Sequence, residues 1–161
     1  MIGFVVIKLE RRRVVACDVT EHPTANWAAY VVERAMFAVG QRAKYLVRDR
    51  DAIYGDAFRA VMRALGLREM VTAYKSPLQN AHAERVIGTL RRECLDHVIV
   101  MNDRHARQIL DEYVQYYNGE RAHQALDGDS PVPRVEESIE NGRVISFPHL
   151  GGLHHSYRRA A

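Results

Sequence analysis

Two carboxylates occupy positions where metal ligands are common. Asp49 follows the apolar run 44–47, and functional groups gather at the carboxyl ends of strands in open α/β sheets. Glu84 falls in the first turn of a predicted helix, where the helix dipole favours an ionised carboxylate. The 34 residues 50–83 between them suffice for a helix, a strand and a loop back to the same edge. Ionised oxygens are the ligands that Mg²⁺ prefers, so the pair predicts a divalent-metal site.

The residues alone also allow a plain structural interpretation. Asp49 has arginines on both sides, Arg48 and Arg50, and either guanidinium could neutralise it. Glu84 lies seven residues before Arg91 and therefore on nearly the same helix face. Asp51 is a competing ligand on the same segment. Spacing leaves the metal site and the ion pairs as alternatives.

The elements that must position these carboxylates follow from hydrophobic periodicity and from Gly, Pro and capping residues. Two β-branched runs form a predicted hairpin, and helices then alternate with short strands. This order predicts an α/β chain with one mixed sheet, a hairpin first and helical crossovers after it. The predicted elements are strands at 4–9 and 14–20, a helix from Thr24 to Gly40, a strand at 44–47, a helix at 56–66, a strand at 69–73, a helix from Ala81 and a helix at 103–118.

Composition restricts the class of protein. The chain has 161 residues, 47% hydrophobic and 27% charged, which is typical of a globular domain. Two cysteines provide no disulfide framework and no zinc spacing. No apolar run approaches the roughly 20 residues of a membrane span, and the amino-terminal pattern is the reverse of a signal peptide. We therefore expect a soluble cytoplasmic protein without a membrane partner.

Charge favours a polyanionic partner. The formal net charge is +3 and the pI is about 9.0, a modest excess that suits nucleic acid. The arginines are clustered rather than spread, and one cluster, at 85–92, lies beside Glu84.

Three motifs together resemble the catalytic domain of the retroviral-integrase superfamily, specifically insertion-sequence transposases with an integrase core. "RDRDAIYGDAF" (48–58) resembles the family's strand-end aspartate motif, "SPLQNAHAERVIGTLRRECLDHVIV" (76–100) its glutamate helix, and "YVQYYNGERAHQAL" (113–126) its closing segment. "VISFPHLGGLHHSYRRA" (144–160) is similar to a tail on some members. The resemblance implies a ribonuclease-H-like mixed sheet with flanking helices and DNA strand transfer at two Mg²⁺ or Mn²⁺ ions.

Carried over by position, Asp49 matches the second catalytic aspartate and Glu84 the catalytic glutamate. The spacing is one residue shorter than is usual in the family, and Asp51 would make it shorter still. Arg85, Arg91 and Arg92 would lie beside Glu84 and, with Lys75 in the preceding loop, neutralise DNA phosphates. The motif residues Tyr117, Asn118, Arg121 and His123 are expected to be structural or adjacent to DNA.

One departure from the family pattern affects the expected activity. The family's first aspartate lies on a central first strand, before a hairpin like the one that opens this chain. Asp18 is an early carboxylate on a strand, but about two strand spacings, roughly 10 Å, from that position. We therefore expect two of three catalytic carboxylates, with the first strand missing from the sheet.

The predicted domains are an amino-terminally incomplete integrase-like core at 1–129 and an extended tail at 130–161, in which the paired histidines 154–155 read as solvated. The predicted function is DNA transposition by metal-dependent phosphoryl transfer, inactive in this chain alone. Its partners would be insertion-sequence ends, target DNA and further copies of the chain. The alternative is a catalytically dead nucleic-acid-binding remnant of a transposase.

Overall fold

The structure is a computed structural model that describes residues 1–40, 43–74, 77–135, 137–138, 140 and 142–160. The chain divides into two compact units. Unit 1 comprises Met1–Ile7 and Val15–Thr89, and unit 2 comprises Lys8–Val14 and Leu90–Ala161. None of the described helices is long and apolar enough to span a membrane.

The elements alternate as the sequence pattern predicts in the amino-terminal part of the chain. Each strand has one hydrogen-bonded neighbour: β1 with β2, β3 with β4 and β5 with β6. The elements are β1 (Ile2–Lys8), β2 (Arg13–Thr20), α1 (Ala25–Ala38), β3 (Tyr45–Arg48), α2 (Asp56–Ala64), β4 (Arg68–Val71), α3 (Ala81–Glu93), α4 (Asp103–Gly119), β5 (Val144–His149) and β6 (His154–Arg159).

Unit 1 contains an apolar core between helices and strands. Helix α1 begins at the predicted cap, where the Thr24 hydroxyl accepts a hydrogen bond from the Trp27 amide at 3.1 Å. Helix α2 ends before Gly66, whose φ of +70° is a conformation that a β-carbon disfavours. Phe58 and Met62 of α2 are fully buried. The core cluster comprises Ala28, Ala29, Val32, Met36, Phe58, Met62 and Leu67, with Phe4, Val6 and Leu46 among the strand residues packed on it.

Helix α2 also connects a pair of parallel strands. In β3 and β4, Tyr45 lies opposite Arg68 and Arg48 lies opposite Val71. Parallel neighbours need a crossover connection such as this helix, because a tight hairpin turn can join only antiparallel strands. The carboxyl ends of both strands therefore lie at one edge, next to Asp49.

Unit 2 is organised around α4. Its buried side is Ala106, Ile109, Leu110, Tyr113 and Tyr117. Strands β5 and β6 form an antiparallel ribbon in which His149 lies opposite His154. The Tyr116 ring stacks on His154, with 4.7 Å between ring centroids. The ribbon is thus packed on α4 through aromatic contacts.

The structure corrects three predictions. The α/β content is as expected, but the described strands form three separate pairs instead of one mixed sheet, because no strand bonds to more than one neighbour. The tail 130–161 is more than extended chain: it contains the β5–β6 ribbon. His154 is not solvated, since it stacks on Tyr116. Val86 and Leu90 of α3 and Cys94 just after it are buried on one stripe, as helical periodicity requires, whereas Ile87 is 49% exposed.

Candidate metal centre

Asp49 directly follows β3 and begins a tightly folded loop. Its Oδ1 accepts a hydrogen bond from the Asp51 amide at 3.1 Å. The Asp51 carboxylate repeats the arrangement and accepts from the Ile53 amide at 2.8 Å. Such turns, in which an aspartate bonds the amide two residues on, let a short carboxylate define local backbone shape. Both carboxylates are solvent-exposed, so each can still meet a ligand.

The neighbouring arginines have partners other than the Asp49 carboxylate. Arg48 pairs through Nε with Glu69 Oε2 at 2.6 Å, and its Nη1 donates to the backbone carbonyl of Asp49 at 2.9 Å. Arg50 donates through Nε to the Thr72 carbonyl at 3.0 Å. The ion pairs found among the described residues do not include Asp49. The ion pairs of the Asp49 carboxylate with Arg48 or Arg50, which the sequence allowed as an alternative to a metal site, are therefore not formed.

A half-buried aromatic residue lies beneath this loop. The Arg48 guanidinium lies over the Tyr54 ring, 4.7 Å from its centroid, and Phe58 meets the same ring edge-on at 4.8 Å. Burial raises the pKa of Tyr54, and the negative charges of Asp49 and Asp51 raise it further. The Tyr54 phenol is therefore neutral at physiological pH and close enough to both carboxylates to interact with them electrostatically.

Glu84 lies in the first turn of α3, as predicted. It belongs to the same unit as Asp49, and its side chain is exposed. Arg91, the neighbour that might have neutralised it, instead approaches Asp96 at 3.4 Å. The described residues offer Glu84 no ion pair either.

The predicted phosphate-binding arginines share α3 with Glu84. Arg85, Arg91 and Arg92 are all exposed, whereas Val86 and Leu90 between them are buried. A helix turns about 100° per residue, so these arginines and Glu84 occupy the solvent side of one helix. Lys75 lies outside the described residues.

Two other carboxylates were candidates for the site. Asp18 is 7% exposed and accepts a hydrogen bond from the indole Nε1 of Trp27 at 3.2 Å, so it anchors α1 against β2. Asp51 remains exposed beside Asp49. Within the described residues, no group of three or more His, Cys, Asp or Glu side chains is arranged to hold a metal. Asp49 and Glu84 thus offer oxygen donors of the type a hard cation takes, but as two separate side chains.

The closing segment is structural in this fold. Asn118 pairs with the backbone of Val14 in both directions, accepting from its amide at 3.0 Å and donating to its carbonyl at 2.8 Å. Arg121 makes a two-pronged pair with Glu93, with Nε–Oε2 and Nη2–Oε1 distances of 2.7 and 2.6 Å. His123 is buried.

Sequence reasoning missed the centre of this network, Glu93. Its carboxylate also accepts from the Tyr113 hydroxyl at 2.8 Å, and its backbone carbonyl bonds the imidazole Nε2 of His154 at 2.6 Å. Burial opposes ionisation of Glu93, but the hydrogen bonds from Arg121 and Tyr113 outweigh it and lower its pKa. The sequence did contain a signal, because Glu93 falls on the same side of α3 as Val86 and Leu90. An unpaired charge there would be costly, so Glu93 required a partner.

Comparison with known proteins agrees with the sequence motifs. Residues 65–131 match the family described as Integrase core domain, a range that includes Glu84 but not Asp49. The chain is 22% identical over 135 residues to the protein named as transposase InsK of insertion sequence element IS150 from Escherichia coli (strain K12). That match covers 79% of this chain and 46% of the relative, so the chain spans about half the relative's length.

A solved structure shows the same fold. The simian T-cell lymphotropic virus intasome, determined in complex with PP2A regulatory subunit B56 gamma, contains a chain that aligns with a TM-score of 0.63 at 15% identity. The alignment covers 96% of this chain and 59% of the viral one. The family match, the transposase relative and the viral fold all agree with the predicted resemblance to the integrase superfamily of transposases.

Proposed function

We propose that this chain is a transposase of the integrase superfamily and supplies two carboxylates, Asp49 and Glu84, to a metal-dependent phosphoryl-transfer site that acts on DNA. The observation that carries the proposal is their common setting. One carboxylate follows the carboxyl end of β3, the other lies in the first turn of α3, and both are exposed without a counter-ion among the described residues. That state is the one in which carboxylates can accept a divalent cation.

Mg²⁺ or Mn²⁺ fits this donor set, because hard cations take carboxylate oxygens. When bound, such ions activate an attacking oxygen and stabilise the leaving oxygen of a phosphodiester. The chain's own residues hold the carboxylates in place and offer positive charge to the DNA backbone. Arg85, Arg91 and Arg92 perform the second task on the exposed side of α3, where they would contact phosphates without reading bases.

The finer form of the fold also belongs to this proposal. The β1–β2 hairpin and the β3–β4 pair both place side chains on one apolar cluster, through Phe4 and Val6 on one side and Leu46 on the other. They are not hydrogen-bonded to each other. Because each of these strands has one bonded neighbour, a strand added to either pair would extend it toward a ribonuclease-H-like sheet. The described residues offer two carboxylates to the proposed site, and we propose that residues 1–161 alone are inactive.

The metal proposal is tested by titrating the full 161-residue chain with Mn²⁺ and measuring free ion by electron paramagnetic resonance. Asp49→Asn and Glu84→Gln should each weaken binding roughly tenfold or more, since even partners outside the metal's ligands cost that much. Asp51→Asn is the matched control, because it removes an equal charge two residues away. Unchanged affinity in both Asp49→Asn and Glu84→Gln would refute the site.

The DNA proposal is tested by measuring duplex affinity against salt concentration. We expect weak sequence preference and a steep loss of affinity as salt rises, because released counter-ions drive such binding. Replacing Arg85, Arg91 or Arg92 by alanine should each lower the salt slope by about 1. Arg59→Ala, on α2 and paired with Asp56, is the control. Absence of binding at about 50 mM salt would contradict the proposal.

The two tests also separate the alternative function. If the chain binds DNA but its Mn²⁺ affinity is unchanged in Asp49→Asn and Glu84→Gln, it is a nucleic-acid-binding remnant. Size-exclusion chromatography with and without DNA then tests the expected association of the chain with further copies of itself. A monomer that cleaves duplex DNA in Mn²⁺ would show that a carboxylate other than Asp49 and Glu84 completes the site.

A further inference from the structure

Arg48 occupies an unusual position for an arginine beside an exposed site. Its side chain is 9% exposed, although the preceding Val47 and the following Asp49 are both exposed. Arginine is seldom buried to that degree unless its charge and its donors are satisfied. The question is what the buried guanidinium holds.

Three different groups fix the guanidinium. Glu69 on β4 accepts from Nε at 2.6 Å, the Tyr54 ring lies 4.7 Å below the guanidinium carbon, and the carbonyl of Asp49 accepts from Nη1 at 2.9 Å. Glu69 fixes the arginine to the neighbouring strand, and Tyr54 fixes its plane. The third contact is made to the residue whose carboxylate is the candidate ligand.

That third contact sets the direction of the Asp49 side chain. The carbonyl belongs to the peptide plane that follows Asp49, so holding it restricts the ψ angle of Asp49. Inside this frame the Asp49 carboxylate bonds the Asp51 amide at 3.1 Å. The backbone on both sides of the Asp49 side chain is therefore tied, on one side by the β3–β4 ladder and on the other by Arg48.

We propose that Arg48 is a positioning residue, which anchors the Asp49 backbone to β4 and thereby aims the Asp49 carboxylate at a divalent cation. The inference rests on the proposed function, because it takes Asp49 as a ligand. A lysine cannot replace Arg48. Its single ammonium lacks the planar fork that reaches Glu69 and the Asp49 carbonyl at once, and it stacks less well on a ring.

The competing account is that Arg48 only stabilises the fold through its ion pair with Glu69. Both accounts expect some loss of stability in Arg48→Lys, so unfolding alone does not distinguish them. They differ in whether the effect on the metal passes through Asp49. A positioning residue has nothing left to position once the carboxylate it aims has been replaced.

The experiment measures Mn²⁺ affinity of the full chain by electron paramagnetic resonance, at a temperature where circular dichroism shows each variant folded. Arg48→Lys is made alone, with Asp49→Asn and with Glu84→Gln. Alone, it should weaken Mn²⁺ binding roughly tenfold, as loss of other outer partners of metal ligands does. The same factor should persist with Glu84→Gln and disappear with Asp49→Asn. Arg59→Lys on α2 should leave the affinity unchanged.

The outcomes separate the two proposals. Unchanged affinity in both Asp49→Asn and Glu84→Gln refutes the metal site itself. If Asp49→Asn weakens binding but Arg48→Lys does not, the site stands and the positioning role is refuted. An equal loss from Arg48→Lys with and without Asp49→Asn also refutes it, because the effect would then not pass through Asp49. If Arg48→Lys does not fold, Glu69→Gln loosens the same anchor and should weaken Mn²⁺ binding in the same pattern.

Discussion

The Glu93 network allows the most direct quantitative prediction. In Glu93→Gln the side chain keeps its shape, but an amide NH₂ replaces one of the two oxygens that accept from Arg121 and Tyr113. At least one donor then loses its acceptor, and the remaining hydrogen bonds lose their charge. Hydrogen bonds to a charged group contribute about 1.5–3 kcal/mol each.

The expected loss of unfolding free energy lies near the lower end of the range that several such hydrogen bonds would give. The Glu93 and Arg121 side chains are 31% and 25% exposed, so water partly replaces the lost contacts. We expect Glu93→Gln to lower the free energy of unfolding by about 2 kcal/mol, less than the 3–5 kcal/mol typical of fully buried pairs. For a chain of this size that corresponds to a fall in Tm of about 4–8 °C.

Denaturant unfolding at neutral pH measures this loss, and Asp111→Asn on the exposed side of α4 is the control for charge. The pH dependence gives an independent check. Because the pKa of Glu93 is lowered in the folded state, its contribution is complete above the ordinary value of 4.5 and disappears as the pH falls through the lowered value. The gap between wild type and Glu93→Gln should therefore close in acid. A loss no larger than that of Asp111→Asn, or a gap independent of pH, would refute the reasoning.

Two further predictions concern the closing segment. Burial, reinforced by the charge of Arg121, lowers the pKa of His123. The folded state therefore resists protonation of His123, and stability should decline as the pH falls below about 6.5. In unfolding titrations His123→Gln should flatten that decline, whereas the control His82→Gln, at an exposed position on α3, should not. Asn118→Ala removes both hydrogen bonds to the Val14 backbone and should cost about 2 kcal/mol. Amide hydrogen exchange at Val14 should accelerate in that variant and stay slow in the control Asn26→Ala, and unchanged protection would contradict the pairing.

Local patterns determined much of what positions the candidate site. Thr24 caps α1 as expected because capping depends on residues three apart. The buried stripe Val86–Leu90–Cys94 follows from helical periodicity. Asp49 after a strand and Glu84 in a first helical turn are likewise local properties. Each needs a few neighbouring residues, all of which the sequence displays together.

Tertiary structure decided which charges meet. Arg48 adjoins Asp49 in the chain, yet it pairs with Glu69, 21 residues away, because parallel pairing of β3 and β4 brings that carboxylate alongside. Arg121 reaches Glu93 across 28 residues, and Asn118 reaches Val14 across 104. Strand pairing is equally non-local, so periodicity predicts the strands but not the separate pairs that they form. A side chain's hydrogen-bond partner is a group that folding brings within about 3 Å, and that distance cannot be read from the order of residues in the sequence.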